Sequence, residues 1–357
     1  MPPHKRVTIK EVAKIAGVSI QTVSRVINEH PDVAPETRLR VLSVIADLDY
    51  HPSALARSLI HQRTYTLGVL TAGLKFIGPS FTLNGITVAA EEMNYAILLE
   101  ELPGFHDSHS AKRLESLLAR HVDGIIWAIP EIGNNRAWLD ENRLSLPVPI
   151  VFLTMQPRPD VTCVSFDNFL GGQMATQHLV DAGYQQIGHI AGPMDWWEAR
   201  QRKAGWQDIL ERSGIKVQEN LWIEGNWSSA SGEQAFLQLL ARNKQLEAVF
   251  VANDQMAYSV YQVAAKKGIR IPDDLGVVGF DGLAETAYLW PPLTTIYQNL
   301  NQLGRTAVEH VVSTIETQQN TGGVQPGQTV VLKPELVQRA SSQRDRRVLT
   351  AHLREEQ

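Results

Sequence analysis

Two sets of residues in this chain have side chains that could do chemistry, and the first set lies near the N-terminus. Gln21, Thr22 and Arg25 form a polar face at the start of a short amphipathic segment, IQTVSRVIN, whose Val23 and Val26 fall on the opposite face. An amide and a guanidinium on one exposed helix face have the donors and acceptors that read the edges of base pairs. The spacing therefore predicts a helix that presents its polar face to nucleic acid.

The residues before this segment predict the rest of a helix-turn-helix. Thr8 can cap a helix, and Glu11 follows three positions later, which is the spacing of a capping box. The apolar residues that recur on one face of this helix are Val12, Ile15 and Ala16. Gly17 then ends the helix, and Ser19 can cap the next one. Two short helices around such a turn, the second with a polar N-terminal face, are typical of DNA-binding proteins, with an ordinary helical hairpin as the alternative.

A third helix and a hinge are predicted next. Pro35 stands at a helix start. The apolar stripe that follows could close a three-helix core, and it contains Leu39, Leu42, Ile45, Ala46 and Leu48. Residues 51–59, HPSALARSL, predict a helix of one or two turns, which is too short to be stable alone in water. We therefore expect an all-α helix-turn-helix headpiece at residues 1–50 and a hinge helix with a linker at residues 51–65.

The charge of the chain is divided unevenly. The 357 residues carry 33 Lys and Arg against 38 Asp and Glu, a formal net charge of −5. Residues 1–63 hold nine basic and six acidic residues, a balance of +3, which leaves 24 basic and 32 acidic residues and a balance of −8 in the remainder. A basic headpiece on an acidic body fits a polyanionic partner that binds the headpiece only.

Composition argues against several classes of protein. No run of 18 apolar residues occurs, so we expect no membrane-spanning helix and no membrane partner. The N-terminal MPPHKRVTIK lacks the apolar stretch of a signal peptide, so we expect a cytoplasmic, nucleoid-associated protein. The single Cys163 lies in the strand pattern VTCVSF, where a small buried side chain is favoured over a nucleophile.

From Thr66 the pattern changes to strands that alternate with amphipathic helices. The predicted strands are residues 66–71, 96–101, 124–129, 149–154, 187–192, 248–253 and 276–280. The predicted helices include residues 110–121, 168–182, 198–213, 230–241 and 254–267. This alternation predicts doubly wound parallel sheets with helices on both faces. Such sheets bind ligands beyond the carboxyl ends of their strands.

The second set of candidate residues lies at these strand ends. Asn253 ends one predicted strand, Asp281 ends another, and Trp227 follows the strand pattern LWIEGN. A pyranose offers hydroxyls that pair with amides, carboxylates and guanidinium groups, and a CH-rich face that stacks on an indole. Without further context, a tryptophan in such a domain is more often part of the core.

The sequence resembles the LacI/GalR family of bacterial transcription regulators. The motifs that carry the resemblance are TIKEVAKIAGVSIQTVSRVIN, DYHP, SALARSL, HIAGP, ARQR, VANDQMA, VGFD, PLTTI and PELV, which occur in the family's order across about residues 7–340. The resemblance implies a headpiece followed by an effector-binding and dimerisation core at 66–340, a periplasmic-binding-protein-like α/β fold of two doubly wound parallel-sheet subdomains. The expected N-subdomain is about 66–163 plus 297–328, the C-subdomain about 164–296 plus 329–340, and the tail 341–357.

The resemblance also implies how the headpiece binds DNA. The expected DNA contacts are Thr8, Ser19, Ile20, Gln21, Thr22, Ser24, Arg25, Asn28 and Leu59. Leu59 matches the leucine that paired hinge helices of a dimer insert into the minor groove. We therefore expect a homodimer on double-stranded, pseudo-palindromic operator DNA. The tail has too few apolar heptad positions for a tetramer-forming coiled coil.

For the core, the resemblance implies a small effector held between the two subdomains. The expected effector contacts are Phe76, Pro79, Trp127, Thr154, Phe166, Trp196, Arg200, Trp227, Asn253, Asp281 and Gln298. Arg200 matches the family's ligand-binding arginine, and Trp227 matches the aromatic residue that stacks on the sugar. Trp196 and its neighbour Trp197 cannot both face the cleft in a regular conformation.

Two departures from the family pattern bear on the effector. A sugar-binding family member has an aspartate at the end of its fourth core strand, where this chain has Thr154. It also has an asparagine after the third strand, where this chain has Ala128 preceded by Trp127. Losing a carboxylate and an amide while gaining an indole argues against lactose-like recognition and remains compatible with a glycoside or oligosaccharide that has a larger apolar face. The alternative is a purine or other nitrogenous effector, sandwiched between Trp127 and Phe76.

An enzyme is the competing class, and its motifs are missing from the sequence. GxGxxG, GxxxxGK[ST], GxSxG and HExxH do not occur. His106 and His109 form an HxxH in a loop with no third ligand nearby, so we expect neither a metal nor another cofactor. The sequence thus predicts a DNA-binding repressor whose operator affinity is controlled allosterically by a small saccharide. A corepressor-dependent regulator that binds a purine is the alternative.

Overall fold

A computed structural model describes residues 7–27, 30–50, 63–105, 110–133, 135–136, 139, 146–321 and 326–343. The chain divides into two compact units, residues 1–65 and residues 66–357. No helix in these described ranges is long and apolar enough to cross a membrane.

The first unit contains three helices, α1 (Ile9–Ala16), α2 (Ile20–Ile27) and α3 (Pro35–Asp47). The predicted capping box begins α1. The Glu11 carboxylate accepts from the backbone N–H of Thr8 at 2.8 Å, and the Thr8 hydroxyl accepts from the N–H of Glu11 at 3.4 Å. Gly17 has φ 65°, the left-handed conformation that ends α1 without a Cβ penalty. The predicted helix-turn-helix is therefore confirmed.

The core of the first unit differs in part from the predicted one. Its buried members are Val12, Ala13, Ala16, Val23, Val26, Val33, Val41 and Tyr50. Ile15 is 59% exposed and Leu39 is 70% exposed, so neither joins this core as expected. On α3 the inward face contains Val41, Val44, Ile45 and Leu48, at three- and four-residue spacing. Leu42 is also exposed, because its position does not fall on this inward face of α3.

The second unit contains two six-stranded sheets, which form the centres of an N-lobe and a C-lobe. The N-lobe sheet contains β1 (Thr66–Ala72), β2 (Ala96–Leu102), β3 (Gly124–Ala128), β4 (Ile150–Leu153), β5 (Thr162–Phe166) and β11 (Thr329–Leu332), in the order β11-β5-β4-β3-β1-β2. The C-lobe sheet contains β6 (Ile187–Ala191), β7 (Trp222–Glu224), β8 (Ala248–Val251), β9 (Gly276–Asp281), β10 (Thr294–Tyr297) and β12 (Glu335–Val337), in the order β12-β10-β9-β8-β6-β7. The described pairings are parallel except that β12 runs antiparallel to β10.

Helices cover both faces of each sheet. They are α4 (Ile77–Glu92), α5 (Ser110–Ala119), α6 (Asn168–Asp181), α7 (Trp197–Arg212), α8 (Ser229–Arg242), α9 (Asp254–Lys267) and α10 (Leu300–Thr321). Each lobe therefore has two apolar clusters, one on each side of its sheet. Burial on both faces explains why the inner strands β3, β4 and β8 are continuously apolar instead of alternating. The predicted doubly wound core is confirmed.

The described chain crosses between the lobes three times, after β5, after β10 and after β11. The subdomain boundaries expected at 163 and 328 are displaced. β5 pairs with β11 from Cys163 opposite Thr329 to Phe166 opposite Leu332, so both strands belong wholly to the N-lobe. The pairing of β5 with β11 continues past residues 163 and 328, where the subdomain boundaries were expected. The chain therefore crosses to the C-lobe after Phe166 and again after Leu332.

Candidate functional site

A cleft lies between the two lobes at the carboxyl ends of their parallel strands. Its cavity volume is about 130 Å³, close to that of a cavity known to bind one six-membered ring. Nine of the eleven residues predicted to bind an effector line it: Phe76, Pro79, Thr154, Phe166, Trp196, Trp227, Asn253, Asp281 and Gln298. They meet because strands of a parallel sheet end at a common edge, and both lobes present that edge to the cleft.

Trp127 does not line the cleft, contrary to the sequence prediction. Its side chain is fully buried in the N-lobe core, with its ring 5.8 Å from that of Phe152 and the Arg136 guanidinium 5.1 Å above it. Side chains alternate along a strand, so the next residue, Ala128, faces the cleft instead. The expected sandwich of a planar base between Trp127 and Phe76 is therefore wrong for this structure.

The arginine in the cleft is Arg202, and the prediction of Arg200 is wrong. Arg200 is exposed and donates to two backbone carbonyls of the loop before α7, at 3.1 and 2.9 Å. Glu198, Arg202 and Trp206 follow one another at four-residue spacing on the buried face of α7, which places Arg200 on the opposite side. Arg202 lies four residues before the buried Trp206, and this helical spacing was the sequence signal that could have identified Arg202 as the cleft arginine.

Arg202 is the centre of a polar floor in the cleft. Its Nε donates to Asn168 Oδ1 at 2.8 Å, and its Nη1 donates to the carbonyl of Ala252 at 2.5 Å. The same Nη1 lies 3.6 Å from Asp281 Oδ1, and the guanidinium lies 3.7 Å above the ring of Phe280. Burial lowers the pKa of Arg202, and nearby carboxylates oppose that shift. Asn168, which sequence reasoning missed, is thus a partner of the cleft arginine.

Asp281 is held at the end of β9 in a strained conformation. Its φ of 110° is uncommon for a residue with a side chain, and such strain clusters at binding sites. Gln298 donates from Nε2 to Asp281 Oδ1 at 3.1 Å. Burial raises the pKa of Asp281 to about 6, although Arg202 and Gln298 oppose the shift. Behind it, buried Asp254 accepts from two backbone N–H groups of the turn after β9, at 2.9 and 2.8 Å.

Trp227 is positioned by two neighbours. Its backbone has φ 70°, and Asn253 Nδ2 donates to its carbonyl at 3.0 Å. Asn253 Oδ1 accepts from the N–H of Met256 at 3.0 Å and so caps α9. Gly192 leaves space for the indole, because a Cβ at that position would clash with the ring. Asn253 therefore shapes the cleft by holding Trp227 as well as lining it.

Four aromatic side chains form a continuous row across the cleft. Ring centroids are 5.7 Å apart for Phe76 and Phe105, 4.7 Å for Phe105 and Trp196, and 5.5 Å for Trp196 and Trp227. The two phenylalanines belong to the N-lobe and the two tryptophans to the C-lobe. Trp196, not Trp197, lines the cavity, and Phe105 is a member that sequence reasoning missed.

Glu198 contributes a second carboxylate to the cleft and was also missed. It lies in the first turn of α7 and is 7% exposed. The hydroxyl of Thr154, which follows β4 in the N-lobe, lies near this carboxylate and opposes the rise in its pKa. Burial raises the pKa of Glu198 to about 7, and Arg202 and Arg136 oppose the shift.

The loops after β3 and β6 also join the lobes beside the cleft. Ile132 and Trp196 form an isolated antiparallel bridge, and the N–H of Trp197 donates to the carbonyl of Glu131 at 3.3 Å. Glu131 itself pairs with Arg158 at 2.6 Å. The lobes are thus in contact beside the cavity, which Trp196 also lines.

In the headpiece, α2 presents the residues predicted to contact DNA. Ile20, Gln21 and Arg25 are exposed, whereas Thr22 and Ser24 are half-buried. Ser19 accepts from the N–H of Thr22 at 3.0 Å and so caps α2, as Thr8 caps α1. Several sequence predictions lie outside the described ranges: the hinge helix at 51–59 with Leu59, the tail from residue 344 onward, and Asn28, His106 and His109. Within those ranges, no group of three or more His, Cys, Asp or Glu is arranged to hold a metal.

A helix-turn-helix unit together with a two-lobed cleft defines a class of ligand-responsive DNA-binding proteins. A family model for bacterial regulatory proteins, lacI family, matches residues 8–53, and one for a periplasmic binding protein-like domain matches residues 176–342. The ribose operon repressor of Escherichia coli (strain K12) is 32% identical over 336 residues, 94% of this chain and 99% of that protein. The HTH-type transcriptional repressor PurR of Photobacterium profundum is 33% identical over 337 residues, 94% of this chain and 98% of that protein.

Solved structures agree with this assignment. The lac repressor dimer bound to operator and the anti-inducer ONPF matches with a TM-score of 0.83 and 32% identity, over 95% of this chain and 99% of that one. A complex of the transcriptional regulator CelR with cellobiose matches with a TM-score of 0.68 and 31% identity, over 94% of this chain and 100% of that one. The chain belongs to the lacI family of bacterial regulatory proteins.

Proposed function

We propose that the protein is a transcriptional repressor that binds a pseudo-palindromic operator as a homodimer and changes its operator affinity when a small saccharide occupies the cleft. The observation that carries the proposal is the composition of the cleft. A row of four aromatic rings stands beside a floor of guanidinium, carboxylate and amide groups. Sugars present an apolar ring face and a set of hydroxyls, and this cleft is complementary to both.

A purine effector is the second candidate, and the similarity to PurR favours it. Its predicted binding mode is weakened because Trp127 lies in the core and cannot stack on a base in the cleft. The polar floor favours a saccharide, since Arg202, Asp281 and Gln298 together offer donors and acceptors suited to adjacent hydroxyls. The similar regulator CelR was solved with cellobiose, which also supports a saccharide.

The coupling between cleft and operator follows from the two-lobed architecture. Residues of both lobes line the cavity, so an effector that contacts both changes the free energy of the closed arrangement relative to the open one. A differential affinity of about 1–3 kcal/mol between two states is typical of allosteric coupling. Such a difference shifts the population of the DNA-binding form without any contact between effector and DNA.

The proposed dimer uses an exposed aromatic surface of the C-lobe. Tyr288 is 88% exposed and Trp290 is 92% exposed, in the segment between β9 and β10. Large exposed apolar side chains mark interaction surfaces. A second copy of the chain is the occupant that two operator half-sites require, and the matching lac repressor structure is a dimer on operator.

Calorimetry on the full chain tests the proposal. The panel is ribose, lactose, cellobiose and methyl β-glucoside against hypoxanthine, guanine and adenine, followed by gel-shift titration of upstream DNA with and without each ligand that binds. We expect at least one saccharide to bind and to change the operator affinity. Binding of a nucleobase with no saccharide binding would contradict the saccharide assignment, and absence of specific DNA binding would contradict the regulator assignment.

A further inference from the structure

We propose that the loops after β3 and β6 form a latch beside the cavity, which holds the two lobes together and sets the equilibrium between closed and open arrangements. The latch consists of Glu131 and Ile132 of the N-lobe with Trp196 and Trp197 of the C-lobe. Of these four residues, only Trp196 lines the cavity. The proposal rests on the saccharide function above, because it names a device that regulates the same cleft.

The N-lobe half of the latch is held in place by its own lobe. The Glu131 carboxylate accepts from Arg158 Nη2 at 2.6 Å and from the backbone N–H of Gln156 at 2.7 Å. The side-chain oxygen of Asn135 accepts from the backbone N–H of Ile132 at 3.2 Å. These bonds lie within the N-lobe, so they order the segment before the C-lobe meets it. A segment that is already ordered loses less conformational entropy when it makes a contact.

The C-lobe half pairs with this segment through its backbone. Ile132 and Trp196 form an isolated antiparallel bridge, and the N–H of Trp197 donates to the carbonyl of Glu131 at 3.3 Å. Ile132 is an apolar side chain at this contact and is only 3% exposed. Because the paired loops belong to different lobes, separating the lobes would break the backbone bond and expose apolar surface to water. The latch therefore favours the closed arrangement by itself.

This bias predicts the sign of two effects. An effector that contacts both lobes also favours the closed arrangement. Weakening the latch should therefore weaken effector binding, because a smaller fraction of the protein is then competent to bind. It should also change operator affinity in the direction opposite to the change that the effector causes, whether the effector raises or lowers that affinity.

Two variants weaken the latch without altering a residue that lines the cavity. Arg158→Met removes the guanidinium from Glu131, and Glu131→Gln removes the charge of the carboxylate. For the full chain, gel-shift measures operator affinity, and calorimetry measures affinity for the saccharide of the above panel that binds most tightly. We expect each variant to weaken saccharide binding at least about fivefold and to change operator affinity in the opposite sense to the saccharide. The matched control is Arg113→Met, which removes an ion pair with Glu100 inside the N-lobe and should change neither affinity.

A disulfide across the latch gives the opposite perturbation. Residues that face each other in an antiparallel pair have Cα atoms about 4.5–5.5 Å apart, and a disulfide spans about 4.4–6.8 Å. Ile132→Cys combined with Trp196→Cys should therefore form a disulfide on mild oxidation, while the native Cys163 is buried. Oxidation should change operator affinity at least about fivefold, in the same direction as the saccharide does with the native chain. The reduced double variant is the control, because both forms lack the Trp196 side chain.

The outcomes separate this inference from the function on which it rests. If the oxidised and reduced forms bind operator equally and the two weakening variants behave as Arg113→Met does, the latch has no such role and the saccharide function stands. Failure of the disulfide to form would also overturn the latch, since the two loops would then not meet in solution. If no saccharide binds the native chain, the proposed function fails, whereas a difference in operator affinity between the oxidised and reduced forms would still support the latch.

Discussion

Replacing Arg202 by alanine removes the guanidinium at the centre of the cleft floor. The side chain has two buried hydrogen bonds, one ion pair, and cation–π contacts with two rings, those of Phe280 and Trp227. The substitution leaves Asn168 Oδ1 and the Ala252 carbonyl without this donor and leaves the Asp281 carboxylate without its cation. The matched control is Arg200→Ala, two residues away on the exposed face of the same helix.

The expected magnitudes differ strongly between the two variants. Removing one partner of a buried ion pair costs about 3–5 kcal/mol, because the other charge remains buried. We expect Arg202→Ala to lower the free energy of unfolding of the core by that amount, and Arg200→Ala by less than about 1 kcal/mol. Loss of the guanidinium also raises the pKa of Asp281 beyond about 6, so the cost should shrink as pH falls and the carboxyl is protonated.

Urea unfolding of the full chain, followed by tryptophan fluorescence, measures this effect on the core. All eight tryptophans lie between residues 127 and 290, so the signal reports only the second unit. Effector binding by calorimetry should be lost in Arg202→Ala and retained in Arg200→Ala. Operator binding in a gel-shift should persist in both, because the headpiece is a separate compact unit.

A double variant checks the electrostatic reasoning. Arg202→Met combined with Asp281→Asn removes both buried charges, and it should recover part of the lost stability without recovering effector binding. If Arg200→Ala abolished effector binding while Arg202→Ala left binding and stability unchanged, the orientation of α7 described above would be refuted.

Three further perturbations probe the headpiece, the assembly and the titration of the cleft. Arg25→Ala should cost about 1–3 kcal/mol at one base position of each half-site, measured on base-substituted operators, whereas exposed Arg40→Ala on α3 should not change base preference. Trp290→Asp should convert a dimer into monomers in sedimentation at micromolar concentration, and an unchanged dimer would place the interface elsewhere. Without effector, the free energy of unfolding of the native core should fall by about 3 kcal/mol relative to Glu198→Gln as pH rises from 4.5 to about 7, because burial raises the pKa of Glu198 in the folded state. Urea unfolding of both proteins at pH 5 and pH 8 measures this. An equal change in the two proteins between these pH values would contradict the reasoning.

Local chemistry in the sequence determined much of this protein. The capping pair Thr8 and Glu11, the left-handed Gly17 and the spacing of Val23 and Val26 specify the helix-turn-helix through contacts a few residues apart. Apolar strands that alternate with helices specify the doubly wound core, because each helix has apolar residues at helical spacing and each buried strand is a short apolar run. Most cleft residues were also predictable, because parallel sheets place the residues after their strands at one edge.

Tertiary structure decided which side of each element faces the cleft. In β3 both faces are buried and apolar, so nothing in the sequence showed that Ala128 faces the cleft and Trp127 the core. On α7, Arg200 and Arg202 are both polar, and only the packing of the helix against the lobe buries one and exposes the other.

The contacts between lobes were beyond the reach of sequence reasoning for a related reason. Phe105 meets Trp196, and Thr154 meets Glu198, across long sequence separations and from opposite lobes. β11 joins the N-lobe only because its ladder with β5 is satisfied there. Such pairings leave no helical or strand periodicity and no capping motif in the nearby sequence. They form only when two separately folded surfaces come together, so the tertiary structure alone determines them.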